Sequence, residues 1–303
     1  MDTDAANEID DQFALAWALR TPERLALEAV YAAPFSFAHR RASLPHPVRD
    51  ERPFAPPAEG MARSFDEIER IYSLAGRAPR GRVFRGAGDY LAAPGRPRAS
   101  EAAEHLVALA RSLPAEEPLY VLALGCPTNV ASALLMAPDI AEHIVVVWTS
   151  GYPSHAPHAN RSFNLEQDPA ASRWLFDSGV PLVYLPGFHV GAQLRLSWPE
   201  AEAYLAGQGP LAEGLFDLYT HNPLWELAGV RDRFAHSWVL WDLICVAWVL
   251  DPRWVPSTLV RAPVLDEALQ WRAAPGRHLM REAHAVQRDA IFADLLRAIR
   301  RSA

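Results

Sequence analysis

The stretch DTDAANEIDD, residues 2–11, decides how this chain is interpreted. It places five carboxylates within ten residues, directly before an apolar helical pattern from Gln12 to Leu19. Carboxylates this close repel one another and raise each other's pKa values. A hard divalent cation removes that conflict, because Ca²⁺ takes about six to eight oxygen ligands. The alternative is a frayed acidic tail in which Asp10 and Asp11 only complement the dipole of the following helix.

Outward from this stretch, apolar β-branched runs alternate with helical patterns. The alternation is typical of βα units that build a parallel sheet covered on both faces. We therefore predict an α/β fold with an open, mostly parallel sheet and helices on both faces. At 303 residues the composition allows either one large domain or two smaller ones. The predicted strands are Leu25 to Ala32, Leu119 to Leu124, Ile144 to Trp148 and Leu182 to Leu185.

Helices are predicted from capping and periodicity. Ser64 and Glu67 form a capping box that should open a helix ending near Gly76, and a further helix should cover Glu101 to Ser112. Residues 36–60 hold five prolines and are interpreted as a long loop and candidate lid, whereas residues 265–303 are interpreted as an amphipathic helical segment.

The position of the acidic stretch raises a question about the first strand. Ligands of an open parallel sheet sit beyond the carboxyl ends of its strands, so the acidic cluster should follow a strand. Met1 directly precedes Asp2. We expect that the true start lies upstream or that the first strand is shortened to almost nothing.

Composition excludes several classes of partner and site. The formal net charge of -7 gives no broad attraction for phosphate backbones or anionic lipid, so we expect neither a nucleic acid nor a membrane partner. Two cysteines, Cys126 and Cys245, cannot build a disulfide framework or a four-ligand zinc site, which favours a cytoplasmic location. No export signal or membrane-spanning run is recognisable.

Three later motifs add polar groups at the expected ends of strands. The first is GCPTN at residues 125–129, a strand-to-helix turn whose carbonyls could bind a metal; the second is NRSFNLEQDP at residues 160–169, whose amides suit sugar hydroxyls. The third is Trp241-Asp242 in an apolar helical pattern, where a lone carboxylate is costly unless it is paired. Each has an alternative: Thr128-Asn129, Asn164 and Asp168 could be helix caps, and Asp242 could pair with an arginine.

In this order the motifs resemble those of the inosine/uridine-preferring nucleoside hydrolases. That family has an Asp-x-Asp…Asp-Asp start, an ALGPLTN-like turn, an FN…DP segment and a late HD motif; here they read DTDAANEIDD, ALGCPTN, SFNLEQDP and WD. The resemblance runs from residue 2 to about residue 250 and implies calcium-dependent hydrolysis of a ribonucleoside or related N-riboside to ribose and free base. It also implies a single Rossmann-related domain over residues 1–303 and a homodimer or homotetramer. The alternatives are hydrolysis of another N- or O-riboside, and a non-catalytic nucleoside or sugar binder.

The resemblance also implies a role for individual residues. Asp4, Asp11, the carbonyl of Thr128 and Asp242 would bind Ca²⁺, and Asp4 would be the general base that activates water. Ribose hydroxyls would be held by a second set: Asp10, Asn160 and Asn164, with Thr149 close to the sugar.

The chain departs from the family pattern at several of these positions. The segment AANEI, residues 5–9, is two residues longer than its counterpart; Ser162 replaces a sugar-binding glutamate, and Phe37 replaces an asparagine. Trp241 replaces the histidine that lies near the leaving base. Because indole cannot donate a proton at neutral pH, we expect Trp241 to stack on a flat aglycone, unless it only fills the core. Base activation could also come from the loop after Gly151, through Tyr152, His155 or His158.

Overall fold

The computed structural model describes residues 1–44, 48, 50–91, 93–114, 116–222, 224–230 and 234–300. Its strands are β1 Asp2–Thr3, β2 Val30–Ala32, β3 Val83–Arg85, β4 Leu119–Ala123, β5 Ile144–Ser150, β6 Leu182–Pro186, β7 Arg195–Ser197, β8 Ser237–Val239, β9 Ser257–Arg261, β10 Val264–Leu265, β11 Trp271–Arg272 and β12 Leu279–Ala283. Its helices are α1 Asp10–Leu19, α2 Pro57–Leu74, α3 Glu101–Ser112, α4 Thr128–Met136, α5 Phe163–Gln167, α6 Pro169–Asp177, α7 Trp198–Leu205, α8 Pro210–Thr220, α9 Leu224–Leu227, α10 Leu243–Leu250 and α11 Arg288–Arg300.

Eight strands form one sheet in the order β3-β2-β1-β4-β5-β6-β12-β9. Every pairing in this sheet is parallel except that of β12 with β9, which is antiparallel and closes one edge. Two short antiparallel pairs, β7 with β8 and β10 with β11, lie outside it. The predicted α/β fold with a mostly parallel sheet is confirmed.

Helices cover both faces of the sheet. On one face α1 lies in the centre and packs against α2, α8, α10 and α11, and all ten of its residues are buried. An all-round apolar helix is stable only in such a position. On the other face α3, α4 and α6 enclose a second core built around Trp148 and Phe176. The predicted two-sided cover is therefore also confirmed.

The strand order fixes where a ligand can bind. The side on which successive strands are added changes between β1 and β4: β2 and β3 lie on one side of β1, whereas β4, β5 and β6 follow on the other. Loops that leave the carboxyl ends of β1 and β4 therefore diverge and open a crevice between them. The acidic stretch follows β1, and the GCPTN turn follows β4.

Several predicted boundaries differ from the structure. The first strand is indeed short, since β1 contains only Asp2 and Thr3; β2 pairs with it and is confined to Val30–Ala32 instead of starting at Leu25. The prediction that a capping box at Ser64 opens a helix is wrong. Helix α2 begins at Pro57, whose fixed φ suits the first turn, and Ser64 is a small buried residue in the helix interior.

The two segments set apart by composition contain more structure than predicted. Within residues 36–60, 3₁₀ turns form at Ala38–Ser43 and Arg52–Phe54 before α2 starts, while residues 45–47 and 49 of the predicted loop lie outside the described part. Of the predicted helical segment 265–303, the described part is helical only over Arg288–Arg300, because β12 inserts beside β6 in the sheet, and residues 301–303 lie outside the described part. Among the described helices, none combines the length and apolar character needed to cross a bilayer.

Candidate functional site

A cavity of about 650 Å³, counting its open mouth, lies at the carboxyl edge of the sheet. The ends of β1, β4, β5 and β6 reach it, together with the segment before α10 and the loop that carries α5. The lining residues are Asp4, Asn7, Glu8, Asp10, Asp11, Arg40, Leu124, Thr149, Ser150, Gly151, Arg161, Ser162, Phe163, Asn164, Gly187, Phe188, Trp241 and Asp242.

Three buried carboxylates meet on one wall of this cavity. Oxygen atoms of Asp10, Asp11 and Asp242 all lie within 4.8 Å of one another, and the three residues are 3%, 2% and 3% exposed. Thr3 donates a hydrogen bond to Asp11, whereas Oδ1 of Asp10 accepts none from the described residues. Buried carboxylates that are short of donors need a cation to offset their charge.

Asp4 lies beside this group and is held from two sides. Asn7 donates a hydrogen bond from Nδ2 to Oδ2 of Asp4 at 3.0 Å. Gly125 packs against the other carboxylate oxygen of Asp4 so closely that a Cβ on residue 125 would lie 2.6 Å from Oδ1 of Asp4. Only glycine fits this approach, which explains the residue at the start of the turn after β4. Asp4 is thus a fixed, buried carboxylate at the switch point.

Burial is the main cause of the perturbed acidity in this wall. It raises the pKa values of Asp4, Asp10 and Asp242 well above the ordinary range, and neighbouring carboxylates raise them further. Burial also raises the pKa of Glu8 to about 7, with the charge of Asp11 adding to the effect. The pKa of Asp11 rises only to about 6, because hydrogen bonds from Thr3 and Asp242 oppose the burial.

The donor set fits a hard divalent metal ion. It consists of carboxylate oxygens from two residues in the first turn of α1, Asp10 and Asp11, and from Asp242, the residue before α10. Oxygen ligands of this kind suit Ca²⁺, Mg²⁺ or Mn²⁺ better than metals that prefer nitrogen or sulfur. The cluster of Asp10, Asp11 and Asp242 could therefore bind a metal ion, as the sequence predicted for Asp11 and Asp242.

The predicted carbonyl ligand, that of Thr128, stays a prediction. Thr128 is the first residue of α4 and is not among the residues that line the cavity; its hydroxyl donates to Asp168 at 2.7 Å. Leu124, just after β4, does line the cavity, and its carbonyl accepts a hydrogen bond from Asn164.

Of the residues predicted to hold the sugar, Asn160 lies outside the cavity lining. It is fully buried, and both ends of its amide are used: Oδ1 accepts from the backbone of Tyr152 at 2.7 Å, and Nδ2 donates to the carbonyl of Leu269 at 2.9 Å. The sugar contact of Asn160 stays a prediction. Asn160 fastens the loop after β5 to the segment near residue 269.

The other predicted sugar residues do line the cavity. Asn164 donates to the carbonyls of Leu124 and Thr149, and the buried Oγ1 of Thr149 has no hydrogen-bond partner among the described residues. Ser162 shares a 2.6 Å hydrogen bond with Ser150, also at the cavity. An unpartnered hydroxyl at a cavity wall is available to a ligand.

Trp241 forms an aromatic wall opposite the sheet edge. Its ring packs on the backbone of Gly187 and Gly191, where an added Cβ would lie 3.7 Å and 3.8 Å from the ring. Phe188 stands nearly perpendicular to it, with ring centres 6.0 Å apart at 87°. Trp241 lines the cavity and is only partly buried, so it does not simply fill the core.

The predicted alternatives for base activation lie farther out. The ring centre of Tyr152 lies 4.6, 4.8 and 5.1 Å from those of Phe188, His158 and His189. None of Tyr152, His155 and His158 is among the residues that line the cavity. His189 has a left-handed backbone with φ of 72°, an uncommon conformation for a residue other than glycine.

Several residues that line the cavity are not predicted from the sequence. Arg40 ion-pairs with Glu166 and covers the ring of Phe163 at 5.1 Å, which in turn packs on Phe37, the residue at the expected asparagine position. Arg40 has no motif of its own that could have identified it. Missed in the same way were Asn7, Glu8, Leu124, Ser150, Arg161 and Phe188, of which Asn7 and Glu8 lie in the quoted acidic stretch.

Comparison with known proteins points to one family. The family model described as inosine-uridine preferring nucleoside hydrolase matches residues 1–290. The pyrimidine-specific ribonucleoside hydrolase RihA of Enterobacter sp. (strain 638) is 29% identical over 171 residues, 53% of this chain and 52% of that protein. The match thus spans about half the length of these curated relatives.

Solved structures resemble the chain over nearly its whole length. A purine-preferring ribonucleoside hydrolase from Gardnerella vaginalis gives a TM-score of 0.74 at 19% identity, covering 99% of this chain and 96% of that one. A plant nucleoside hydrolase, PpNRh1, gives a TM-score of 0.72 at 17% identity, covering 99% and 98%. At such identities the likeness establishes the fold.

Proposed function

Because the chain belongs to the inosine-uridine preferring nucleoside hydrolase family, we propose that it hydrolyses the N-glycosidic bond of a ribonucleoside or related N-riboside to ribose and free base. The observation that carries the proposal is the convergence of Asp10, Asp11 and Asp242 beside Asp4 at the switch point of the sheet. That location is where open α/β sheets bind their ligands.

We propose Ca²⁺ as the metal ion, held by Asp4, Asp11 and Asp242 and by one backbone carbonyl of the turn after β4, either that of Thr128 or that of Leu124, which lines the cavity. When bound, such a cation supplies positive charge that lowers the pKa of water at the site and attracts vicinal hydroxyl groups. The flexible coordination of Ca²⁺ suits a wall built from carboxylates and one carbonyl.

Asp4 acts as the general base in this proposal. Its carboxylate takes a proton from the attacking water, and the new C–O bond forms at C1′ as the C1′–N bond breaks. The hydrogen bond from Asn7 and the close backing by Gly125 hold the carboxylate in one position, which lowers the cost of orienting it. The other buried carboxylates stabilise the positive charge that develops on the sugar ring.

The sugar lies between the acidic wall and the end of β5. Asp10 has a carboxylate oxygen without a donor, and Thr149 has a free hydroxyl, so both can bind ribose hydroxyls. Asn164 is positioned by its two carbonyl contacts and presents the rest of its amide to the cavity. Ser162 completes this side through its hydrogen bond with Ser150.

A panel of ribonucleosides assayed for reducing-sugar release, with and without a calcium chelator, tests the proposal. We expect release from at least one nucleoside, loss of release with the chelator, and recovery when Ca²⁺ is added back. Calcium-dependent ligand binding without any release would instead support a non-catalytic binder. A chelator that changes neither activity nor thermal stability would reject the metal site.

A second candidate is hydrolysis of another N- or O-riboside, and the position of Trp241 favours it. Asp10, Thr149 and Asn164 line the cavity on the side proposed for the sugar, whereas the wall that would receive the leaving group carries indole in place of imidazole. Release from O-ribosides but from no N-riboside would support this candidate. The expected cytoplasmic location and homo-oligomeric state stay predictions.

A further inference from the structure

The wall that would receive the leaving group is formed by two perpendicular aromatic side chains. Trp241 and Phe188 line the cavity with their ring planes at 87°. One ring can stack on a flat aglycone while the other meets its edge, the geometry that aromatic groups prefer. The wall therefore suits a planar aromatic leaving group.

Neither side chain of this wall can protonate a departing base. The indole N–H of Trp241 does not ionise in the range where proteins work, and the phenyl ring of Phe188 has no proton to give. His158 and His189 belong to the ring cluster of Tyr152, one ring farther from the cavity, and both are exposed. A neutral base would have to leave without a proton from this wall.

The charge of the cavity favours a cation. Its lining carries five carboxylates, those of Asp4, Glu8, Asp10, Asp11 and Asp242. Of the two arginines that line it, Arg40 is already paired with Glu166, and Arg161 is exposed. A divalent ion offsets only part of the negative charge. Trp is also the aromatic side chain that attracts a cation most strongly.

We propose that the preferred substrates are N-ribosides whose aglycone is a cationic aromatic ring, such as a pyridinium or an N7-alkylated purinium. This inference rests on the proposed function and specifies its substrate class. When the C1′–N bond breaks, its electron pair stays on the ring nitrogen and cancels the positive charge. The aglycone leaves as a neutral molecule, water supplies the oxygen on C1′, and its proton passes to Asp4. No leaving-group acid is required.

Guanosine and 7-methylguanosine form the first test, because they differ by one methyl group and one charge. Both are assayed at mildly acidic pH, where the methylated ring is cationic, and each enzymatic kcat/KM is divided by the uncatalysed rate of the same compound. This division is needed because cationic ribosides are also less stable in buffer. We expect the corrected value to be at least about tenfold higher for 7-methylguanosine. Equal corrected values would overturn the inference.

Substitutions of Trp241 give a second test. Trp241→Leu keeps apolar bulk but removes the π face, and should lower the ratio of corrected values toward unity. Trp241→His restores a proton donor and should raise activity on guanosine more than on 7-methylguanosine, with a new acidic limb in the pH profile. Trp174→Leu, at a partly buried tryptophan outside the cavity, is the matched control and should leave the ratio unchanged.

Binding separates this inference from the proposed function. The cation 1-methylnicotinamide, methylated on the ring nitrogen, and neutral nicotinamide share one ring and differ in charge, so their affinities report the aromatic wall without turnover. We expect tighter binding of the cation by the wild type and loss of that difference in Trp241→Leu. If guanosine is hydrolysed as well as 7-methylguanosine and both amides bind alike, the inference fails and the proposed function stands. If no riboside is hydrolysed, the proposed function fails as well.

Discussion

Asp11 and Asp242 lie far apart in the sequence, yet a carboxylate oxygen of each lies within 4.8 Å of one on the other. Asp11 is in the first turn of α1 and Asp242 immediately precedes α10, and these two helices pack side by side. Two buried carboxylates at this separation destabilise the metal-free protein and stabilise a protein that holds a cation. Substitutions here should therefore have opposite effects in the two states.

Asp242→Asn should stabilise the metal-free protein by about 1–2 kcal/mol near neutral pH, because a buried amide carries no charge and needs no proton taken up on folding. It should also weaken or abolish the stabilisation that Ca²⁺ gives to the wild type. Thermal unfolding with chelator and with Ca²⁺ measures both effects. Asp139→Asn is the control, since Asp139 is an exposed partner of Arg111 and should change neither. Destabilisation of the metal-free Asp242→Asn protein would contradict the account.

Without metal, the protein should lose stability as pH rises from about 4 to about 7. Folding raises the pKa values of Asp2 and Glu8 to about 7 and of Asp11 to about 6, so the folded state binds more protons than the unfolded state in this range. Each group can contribute a slope of up to about 1.4 kcal/mol per pH unit. Denaturant unfolding at a series of pH values measures it.

Glu8→Gln should make that slope shallower, and saturating Ca²⁺ should offset the loss at neutral pH. A metal-free protein whose stability rises between pH 4 and 7 would show that the carboxylates are not buried as described.

Asn160 and Asn164 should respond differently to alanine. Asn160→Ala removes two buried hydrogen bonds and should cost about 1–3 kcal/mol of folding stability. Asn164→Ala, at the cavity wall, should mainly raise KM for the riboside. Unfolding and steady-state kinetics on both variants give the comparison. A large KM effect in a fully stable Asn160→Ala protein would instead support the predicted sugar contact.

Thr149→Val tests the unpartnered hydroxyl. The substitution keeps the shape of the side chain and removes a buried group that has no hydrogen bond within the described chain. Stability should stay the same or rise slightly, whereas kcat/KM should fall by about five- to thirtyfold if the hydroxyl binds the sugar. Thr21→Val is an informative contrast, because the hydroxyl of Thr21 bonds to the backbone of α1 and should affect stability but not kinetics.

The sequence predicted the sheet and the acidic wall because both depend on local patterns. Apolar β-branched runs mark strands β4 to β6, and five carboxylates next to an apolar helix mark the cluster. The pairing of β1 with β4, however, brings Asp4 next to Gly125, and no local sequence pattern predicts how closely the two residues pack. The predicted start of helix α2 is wrong because the capping-box pattern of Ser64 and Glu67 lies inside a longer amphipathic helix that begins at Pro57.

The sequence does not show which way a polar group faces. Leu124 and Thr128 both follow β4 closely, and of the two only Leu124 lines the cavity. Asn160 precedes α5 and Asn164 lies within it, and a hydrogen bond to the distant Leu269 holds Asn160. Arg40 enters the cavity through its pairing with Glu166, a tertiary contact that leaves no motif in the sequence.

The most direct test measures free base and ribose together, for wild type and Asp4→Asn, with the best riboside and saturating Ca²⁺. The account predicts equal amounts of the two products from the wild type and a loss of at least about a hundredfold in kcat for Asp4→Asn. Circular dichroism should show an unchanged fold. Activity of Asp4→Asn within tenfold of the wild type would contradict the assignment of Asp4 as the base and the account built on it.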